Sequence, residues 1–335
     1  MVSDSSLQSG RLTRRGVLAA AAATLSLAAT VDRGRAQTLP AGPVRIVVAI
    51  GAGASPDIIT RLVADHLSRH WSQQVIVVNQ PGGAGAVAIK AVSTAPPDGS
   101  TLYMSLASNF IALQELQQNF PVDVLRDFAP IGFIGEQPLM IGAAPALGLN
   151  TLSELIAQIK QKPNEFNLGA GNRGSILHLT LERLRITSGT QFALVHYAGG
   201  GRALPDLMGG RIQAMIDAIP SMRSAMEGGN SKVLAVTSAR RLGNFAAIPA
   251  VAETYAGFEG QGWMALMGTP GTPAAITNKI SEDLRHILAQ PELKNRLSDL
   301  GTYVLPTTPA ELTAYIQEQQ RIWRPVLAET AKTIR

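Results

Sequence analysis

The sequence predicts an α/β protein of two lobes, each a mostly parallel sheet flanked by helices. Three observations carry this. Short apolar, β-branched runs alternate with segments of helical spacing along most of the chain, which is the βαβ signature. The alternation occurs twice, once before about residue 140 and once after it. Neither a fixed-period repeat nor a low-complexity linker separates the two units, so they read as lobes joined by more than one strand.

The first unit opens with Val44–Ile50, an apolar run ending at Gly51, as expected of a strand covered on both faces. Ser55-Pro56-Asp57 follows as a helix start: serine as N-cap, proline at the first helical position, aspartate facing the positive end of the dipole. That helix is expected to reach about Arg69, with His66 and His70 one turn apart on a solvated face. A strand at Val75–Asn79, a glycine-rich turn, a helix near Ala84–Thr94 and a strand at Thr101–Ser105 complete a right-handed βαβαβ unit. In the second unit, Thr151 and Glu154 form a capping box ahead of Leu155, Ile156 and Ile159. Strands are expected near Asn167–Ala170, Ala193–Tyr197, Gln213–Ala218 and Lys232–Thr237. Thr272-Pro273 and Thr308-Pro309 with Glu311 begin further helices. Leu139–Ala143 and Trp263–Met267 are the candidate crossings between lobes. The expected division is therefore 37–140 with 264–335 in a discontinuous first lobe, and 141–263 in the second.

The chain has 335 residues, 46% of them hydrophobic and 16% charged, which excludes a disordered polymer. With no cysteine, disulfides, cysteine zinc sites and a thiol nucleophile are excluded. The formal charge of +5 is uneven. Residues 1–36 hold Arg11, Arg14, Arg15, Arg33 and Arg35 against Asp4 and Asp32, leaving 24 basic and 22 acidic groups for the rest. That near balance argues against a nucleic-acid partner. Arg14-Arg15 stand directly before an uncharged run, Gly16–Val31, of 16 residues, short of the roughly 20 needed to span a bilayer. Gly34-Arg35-Ala36 offers small residues for a cut before Gln37. Residues 1–36 thus read as a secretory signal, with the paired arginines of the twin-arginine variant. The expected location is the periplasm, where nucleotide-driven chemistry is out of place and ligand capture is at home.

Three glycine-rich segments lie between a strand and a helix: Gly51–Ser55, Gly169–Ser175 and Ala198–Gly201. Ligands of open α/β sheets bind outside the carboxyl ends of the strands. Helix starts there present unpaired N–H groups and a positive dipole end. Such loops facing one cleft make an anion site without lysine. Gly51 and Gly53 match only two glycines of the dinucleotide fingerprint, with Pro56 in the third place, and no phosphate-binding Gly-x4-Gly-Lys occurs. A hydrolase would need Ser175 and His178, three residues apart, yet there is no nucleophile elbow and no evident oxyanion hole. His196 reads as a structural hydrogen-bonding group. Asp57 and Asp217, just past strands, are candidates to face the cleft.

These segments resemble a known family. Val47–Arg61 resembles the first-lobe signature of the Bug-type receptors, the periplasmic solute-binding proteins of tripartite tricarboxylate transporters. Val77–Gly85 resembles its Val-Glu-Asn-Arg-Pro-Gly-Ala-Gly-Gly segment, and Pro97–Leu102 its Pro-Asp-Gly-Tyr-Thr-Leu turn. Asp127–Ile131, Gly174-Ser175 with His178-Leu179, Tyr197–Gly210 and Gly271–Pro273 follow in family order, so the resemblance spans about residues 40–335. It implies a Venus-flytrap fold closing on a small carboxylate, with no enzymatic activity and no cofactor. The implied partners are that carboxylate and the membrane permease subunits. Residue by residue, it points to Gly53, Ala54, Ser55 and Asp57 on one side, with Ser105 and Ala107 at the end of the third strand. Ser175, Tyr197, Gly199, Gly200 and Asp217 would come from the second lobe. Three positions depart from the pattern. Ala54 replaces a glycine, Gln80 an arginine, and Ala198 the usual lysine or arginine. Unless Arg173 or Arg202 compensates, these changes favour a less charged acid over a tricarboxylate. The competing classes are the exported hydrolase on Ser175 and His178 and a receptor that reports its ligand to a sensor.

Overall fold

A computed structural model describes residues 40, 42–113, 120–197 and 200–334. In chain order the elements begin β1 (Val44–Val48), α1 (Ser55–Trp71), β2 (Val75–Asn79), α2 (Ala86–Ser93), β3 (Thr101–Leu106), α3 (Ala107–Ile111), α4 (Val124–Asp127) and β4 (Ala129–Gln137). Next come β5 (Leu139–Ala143), α5 (Leu152–Gln161), β6 (Asn167–Ala170), α6 (Ile176–Ser188), β7 (Ala193–His196), α7 (Gly200–Met208), β8 (Ala214–Ala218), α8 (Ile219–Glu227) and β9 (Lys232–Val236). The chain ends with β10 (Gly262–Gly268), α9 (Ala274–Leu288), α10 (Pro291–Asp299), β11 (Tyr303–Val304) and α11 (Pro309–Ile334).

The strands form two sheets. One has the order β11-β4-β10-β3-β1-β2, the other β7-β6-β8-β5-β9. Two lobes are thus present, but each sheet is mixed rather than mostly parallel. β1 runs parallel to β2 and β3, and β6 parallel to β7 and β8. β10 is antiparallel to β3 and β4, and β5 to β8 and β9. The antiparallel character has a simple origin. β4 and β5 are separated by Pro138 alone and belong to different sheets, so the chain passes from one lobe to the other through a single residue. β10 then returns it to the first sheet.

Each sheet divides two cores. In β1, Val44, Ile46 and Val48 face one cluster with α1 and α9, while Val47 faces the other with α2 and α11, the alternation that a pleated strand imposes. In the second sheet, Ile141 and Ile216 face one cluster, and Met140 and Met215 the other. The last helix joins both lobes. Its Ile316 and Leu312 pack on the first sheet, and its Trp323 ring meets the Arg183 guanidinium of α6, 5.5 Å away. Among the described residues, no helix is long and apolar enough to cross a membrane. The leader, residues 1–36, lies outside the described residues.

Two expectations need correction. Ala54, not Ser55, is the N-cap of α1, so Ser55, Pro56 and Asp57 occupy its first three positions. The solvated face holds for His70, which is exposed, but not for His66. His66 is buried with Nδ1 3.2 Å from Gln290 Oε1, and His70 Nε2 lies 3.1 Å from Asp283 Oδ1.

Candidate ligand-binding site

A cavity of about 280 Å3 opens between the two sheets. The first lobe contributes Ile50, Ser55 and Pro56 before and at the start of α1, and Leu106, Ala107 and Ser108 where β3 becomes α3. The second lobe contributes Ser175, Ile176 and Leu177 at the start of α6, and Ala218 and Ile219 where β8 becomes α8. Gln137, Pro138 and Leu139 form the outgoing crossing, Gly262 and Trp263 the returning one, and Leu300 and Gly301 close a further side. Among the described residues, the lining holds no charged side chain.

Two long helices, α1 and α6, start at this cavity from opposite lobes. Their first-turn N–H groups have no intrahelical acceptor and carry the positive dipole end. The two starts are built alike. In the first, Gly53 has φ of +82°, and its N–H donates to Asp57 Oδ2 at 2.8 Å. In the second, Gly174 has φ of +76°, and its N–H donates to His178 Nδ1 at 3.0 Å. In each case the third helical side chain reaches back to the glycine just before the N-cap. Ser175 Oγ, as N-cap, accepts from His178 N at 3.3 Å, which leaves its O–H proton free to donate.

The predicted residues separate into three groups. Ser55, Ala107 and Ser175 line the cavity. Gly53, Ala54, Asp57 and Ser105 are not among the lining residues. Asp57 is 2% exposed and takes Asn79 Nδ2 at 2.8 Å and Arg61 Nε at 3.1 Å besides Gly53. Burial raises its carboxyl, but the hydrogen bonds from Arg61, Gly53 and Asn79, with the charge of Arg61, outweigh burial and hold it below the ordinary value. Its oxygens face its own loop rather than the cleft. Ser105, fully buried, donates to the Ala265 carbonyl at 2.8 Å. Tyr197 and Asp217 line a smaller cavity of about 20 Å3 that shares Leu177 with the main one. Tyr197 donates to Asp206 Oδ2 at 2.7 Å, and Asp217 Oδ1 accepts from Ala218 N at 2.8 Å. Gly200 begins α7. Gly199, with Ala198, lies outside the described residues.

The residues that sequence reasoning missed are mostly apolar. Leu139, Ile219, Leu300 and the cavity role of Trp263 carry no chemical motif, although Leu139 and Trp263 fall on the predicted crossings. Arg173 and Arg202 are exposed and outside the lining. His178 has both ring nitrogens engaged, with Nε2 3.6 Å from Glu182 Oε1, and its ring meets His196 edge-on at 4.9 Å. His196 Nδ1 in turn lies 2.8 Å from the Gly171 carbonyl.

Two lobes, each offering a helix start to a shared cavity, define a binding protein of the periplasmic type. A model of the tripartite tricarboxylate transporter family receptor, TctC, matches residues 59–331; the chain belongs to this family. Protein BugT of Bordetella pertussis is 30% identical over 315 residues, covering 93% of this chain and 96% of that protein. The structure of R. palustris Rpa4515 with adipate is 27% identical with a TM-score of 0.78, covering 88% of this chain and 99% of that one. That of the periplasmic binding protein BugD is 28% identical with a TM-score of 0.73, covering 88% and 98%.

Proposed function

We propose that this protein is a periplasmic receptor that captures a small carboxylate between its lobes and delivers it to a tripartite tricarboxylate-type permease. The observation that carries this reading is the pair of helix starts, α1 and α6, facing one cavity from opposite lobes. Each helix start stabilises an anion by about 0.3–1 kcal/mol when exposed and up to ~2 kcal/mol when partly buried. A carboxylate held by both, and by the Ser55 and Ser175 hydroxyls, is bound best when the lobes are closed. Ligand therefore shifts the population toward closure. The lobes are 37–140 with 264–335, and 141–263, a division that sheet membership supports to within two residues, since β5 of the second sheet begins at Leu139 and β10 of the first at Gly262. Closure bends the chain at Pro138 and ahead of Gly262. The adipate bound to the R. palustris relative supports the carboxylate class.

A thermal-shift screen of the ligand-free protein against carboxylic acids tests the reading. Linkage adds about 2.7 kcal/mol at a ligand concentration one hundred times Kd, so one acid class is expected to raise the melting temperature clearly. No rise with mono-, di-, tri-, aromatic or amino acids would overturn it.

Residues 1–36 serve as the export signal, by the twin-arginine route, with cleavage after Ala36. Protein recovered from the periplasm is expected to begin at Gln37. The Arg14→Lys, Arg15→Lys double variant is expected to remain in the cytoplasm; its normal export would rule out the twin-arginine route.

A further inference from the structure

We propose that the ligand carries a hydrogen-bond donor, a hydroxyl or an ammonium group, beside its carboxylate, and that Gln137 Oε1 accepts from it. This rests on the reading of the cavity as a carboxylate site and narrows it. Gln137 ends β4, at the crossing from the first lobe to the second, and its half-buried side chain lines the cavity. The amide is held in one orientation. Nε2 lies 3.2 Å from Thr302 Oγ1 and 3.5 Å from Met264 Sδ. A thioether sulfur has no proton and can only accept, so the amide atom facing it is the donor. The two N–H bonds are thus directed at two fully buried residues, one on β10 and one just ahead of β11. Oε1 is left over and has no partner among the described residues. It lies beside Gly262, a second lining residue, where a Cβ would be 3.6 Å from it.

An acceptor fixed in this way makes a demand on the ligand. The other polar side chains of the lining are the hydroxyls of Ser55, Ser108 and Ser175, each of which can turn to donate or to accept. Oε1 can only accept, and turning the amide would set an oxygen against the Met264 sulfur. The starts of α1 and α6 offer donors, which suit a carboxylate. Oε1 calls for the opposite partner. In the open cavity water can supply it. When the lobes close on a ligand that water is displaced, and a polar group left unpaired costs more than a neutral hydrogen bond contributes. A hydroxyl or ammonium group on the ligand restores the bond; a methylene or a carboxylate oxygen in that place does not. The demand is the same for monoacids and diacids.

The test titrates three sets of acids by calorimetry, each set matched in chain length and number of carboxylates. They are propionate, lactate and alanine; butyrate, 3-hydroxybutyrate and 3-aminobutyrate; and succinate, malate and aspartate. In at least one set the hydroxy or the amino acid is expected to bind at least about tenfold more tightly than the unsubstituted acid, and whichever does so names the donor. Gln137→Leu, checked for folding by circular dichroism, is expected to weaken that acid at least about tenfold more than its unsubstituted partner. An unsubstituted acid, from these sets or from the wider screen, that binds the unaltered protein as tightly as every hydroxy and amino acid would overturn the inference and leave the receptor reading intact. So would a preference that persists undiminished in folded Gln137→Leu. If that variant does not fold, the comparison on the unaltered protein decides alone. If no acid of the sets or of the wider screen binds, the receptor reading itself fails, and the inference with it.

Discussion

Asp57→Ala is expected to destabilise the protein by about 2–3 kcal/mol and to weaken ligand binding at least about tenfold. The carboxylate is buried and accepts from Gly53 N–H and Asn79 Nδ2. Removing it leaves Gly53 N–H without its acceptor and Asn79 Nδ2 with the Ile50 carbonyl alone, 3.1 Å away. Arg61 adds little to this figure, because its side chain is 50% exposed and recovers its interaction with water. The effect on affinity follows from geometry, since Asp57 holds the glycine that sets the start of α1 and with it Ser55. Acid titration gives a second readout. The folded carboxyl lies below its ordinary value of 3.8. Its stabilisation is therefore complete above that value and disappears as the pH falls toward the lowered folded one. Denaturation midpoints measured between neutral and acidic pH are expected to fall less steeply in Asp57→Asn than in the unaltered protein. An alanine variant with the melting temperature and affinity of the unaltered protein would show that Asp57 does not anchor the loop.

Much of the fold is legible where local chemistry and tertiary role agree. β2 and β6 coincide with runs of the sequence bounded by turn residues, and the Thr151–Glu154 capping box forms as read, with both reciprocal hydrogen bonds. β4 is the opposite case. Pro130, Gly132 and Gly135 make its segment look like a turn, yet it lies between β10 and β11. The glycines are there for close approach. A Cβ on Gly132 would lie 2.9 Å from Leu284 Cδ2, and one on Gly135 2.6 Å from the Tyr303 carbonyl oxygen. Those neighbours are more than 150 residues away in sequence, so no local pattern announces them. The site divides in the same way. Ser55 and Ser175 stand at helix starts, which local signals mark. Asp57 and Asp217 look like ligand groups because they are acids beside glycine loops, but each spends an oxygen on its own backbone. Leu139, Ile219 and Leu300 become lining residues only because two sheets face each other across the crossings.

The likeness of the two helix starts yields the second large effect, at His178. Its Nδ1 accepts from Gly174 N–H, so that nitrogen carries no proton and the ring is the Nε2–H tautomer, directed toward Glu182. The imidazole thus does for α6 what the Asp57 carboxylate does for α1. His178→Ala opens a void around a residue 1% exposed and leaves Gly174 N–H unpaired, an expected cost of about 3 kcal/mol. Glu182 loses one of its two partners and keeps Arg185. Its carboxyl is raised by burial, but the hydrogen bonds of His178 and Arg185, with the charge of Arg185, more than offset this and hold it low. Ligand affinity is expected to fall at least about tenfold, because Ser175 loses its fixed place at the N-cap. His178→Asn separates an anchor from a base. The Asn Oδ1 sits close to where Nδ1 was and can accept from Gly174, so this variant is expected to retain most of the affinity lost by alanine, measured by calorimetry on both proteins. A proton-transfer role would gain nothing from asparagine, which does not titrate in this range. An asparagine variant as impaired in binding as alanine would remove His178 from the anchoring role and leave the α6 start held by Ser175 and the glycine turn alone.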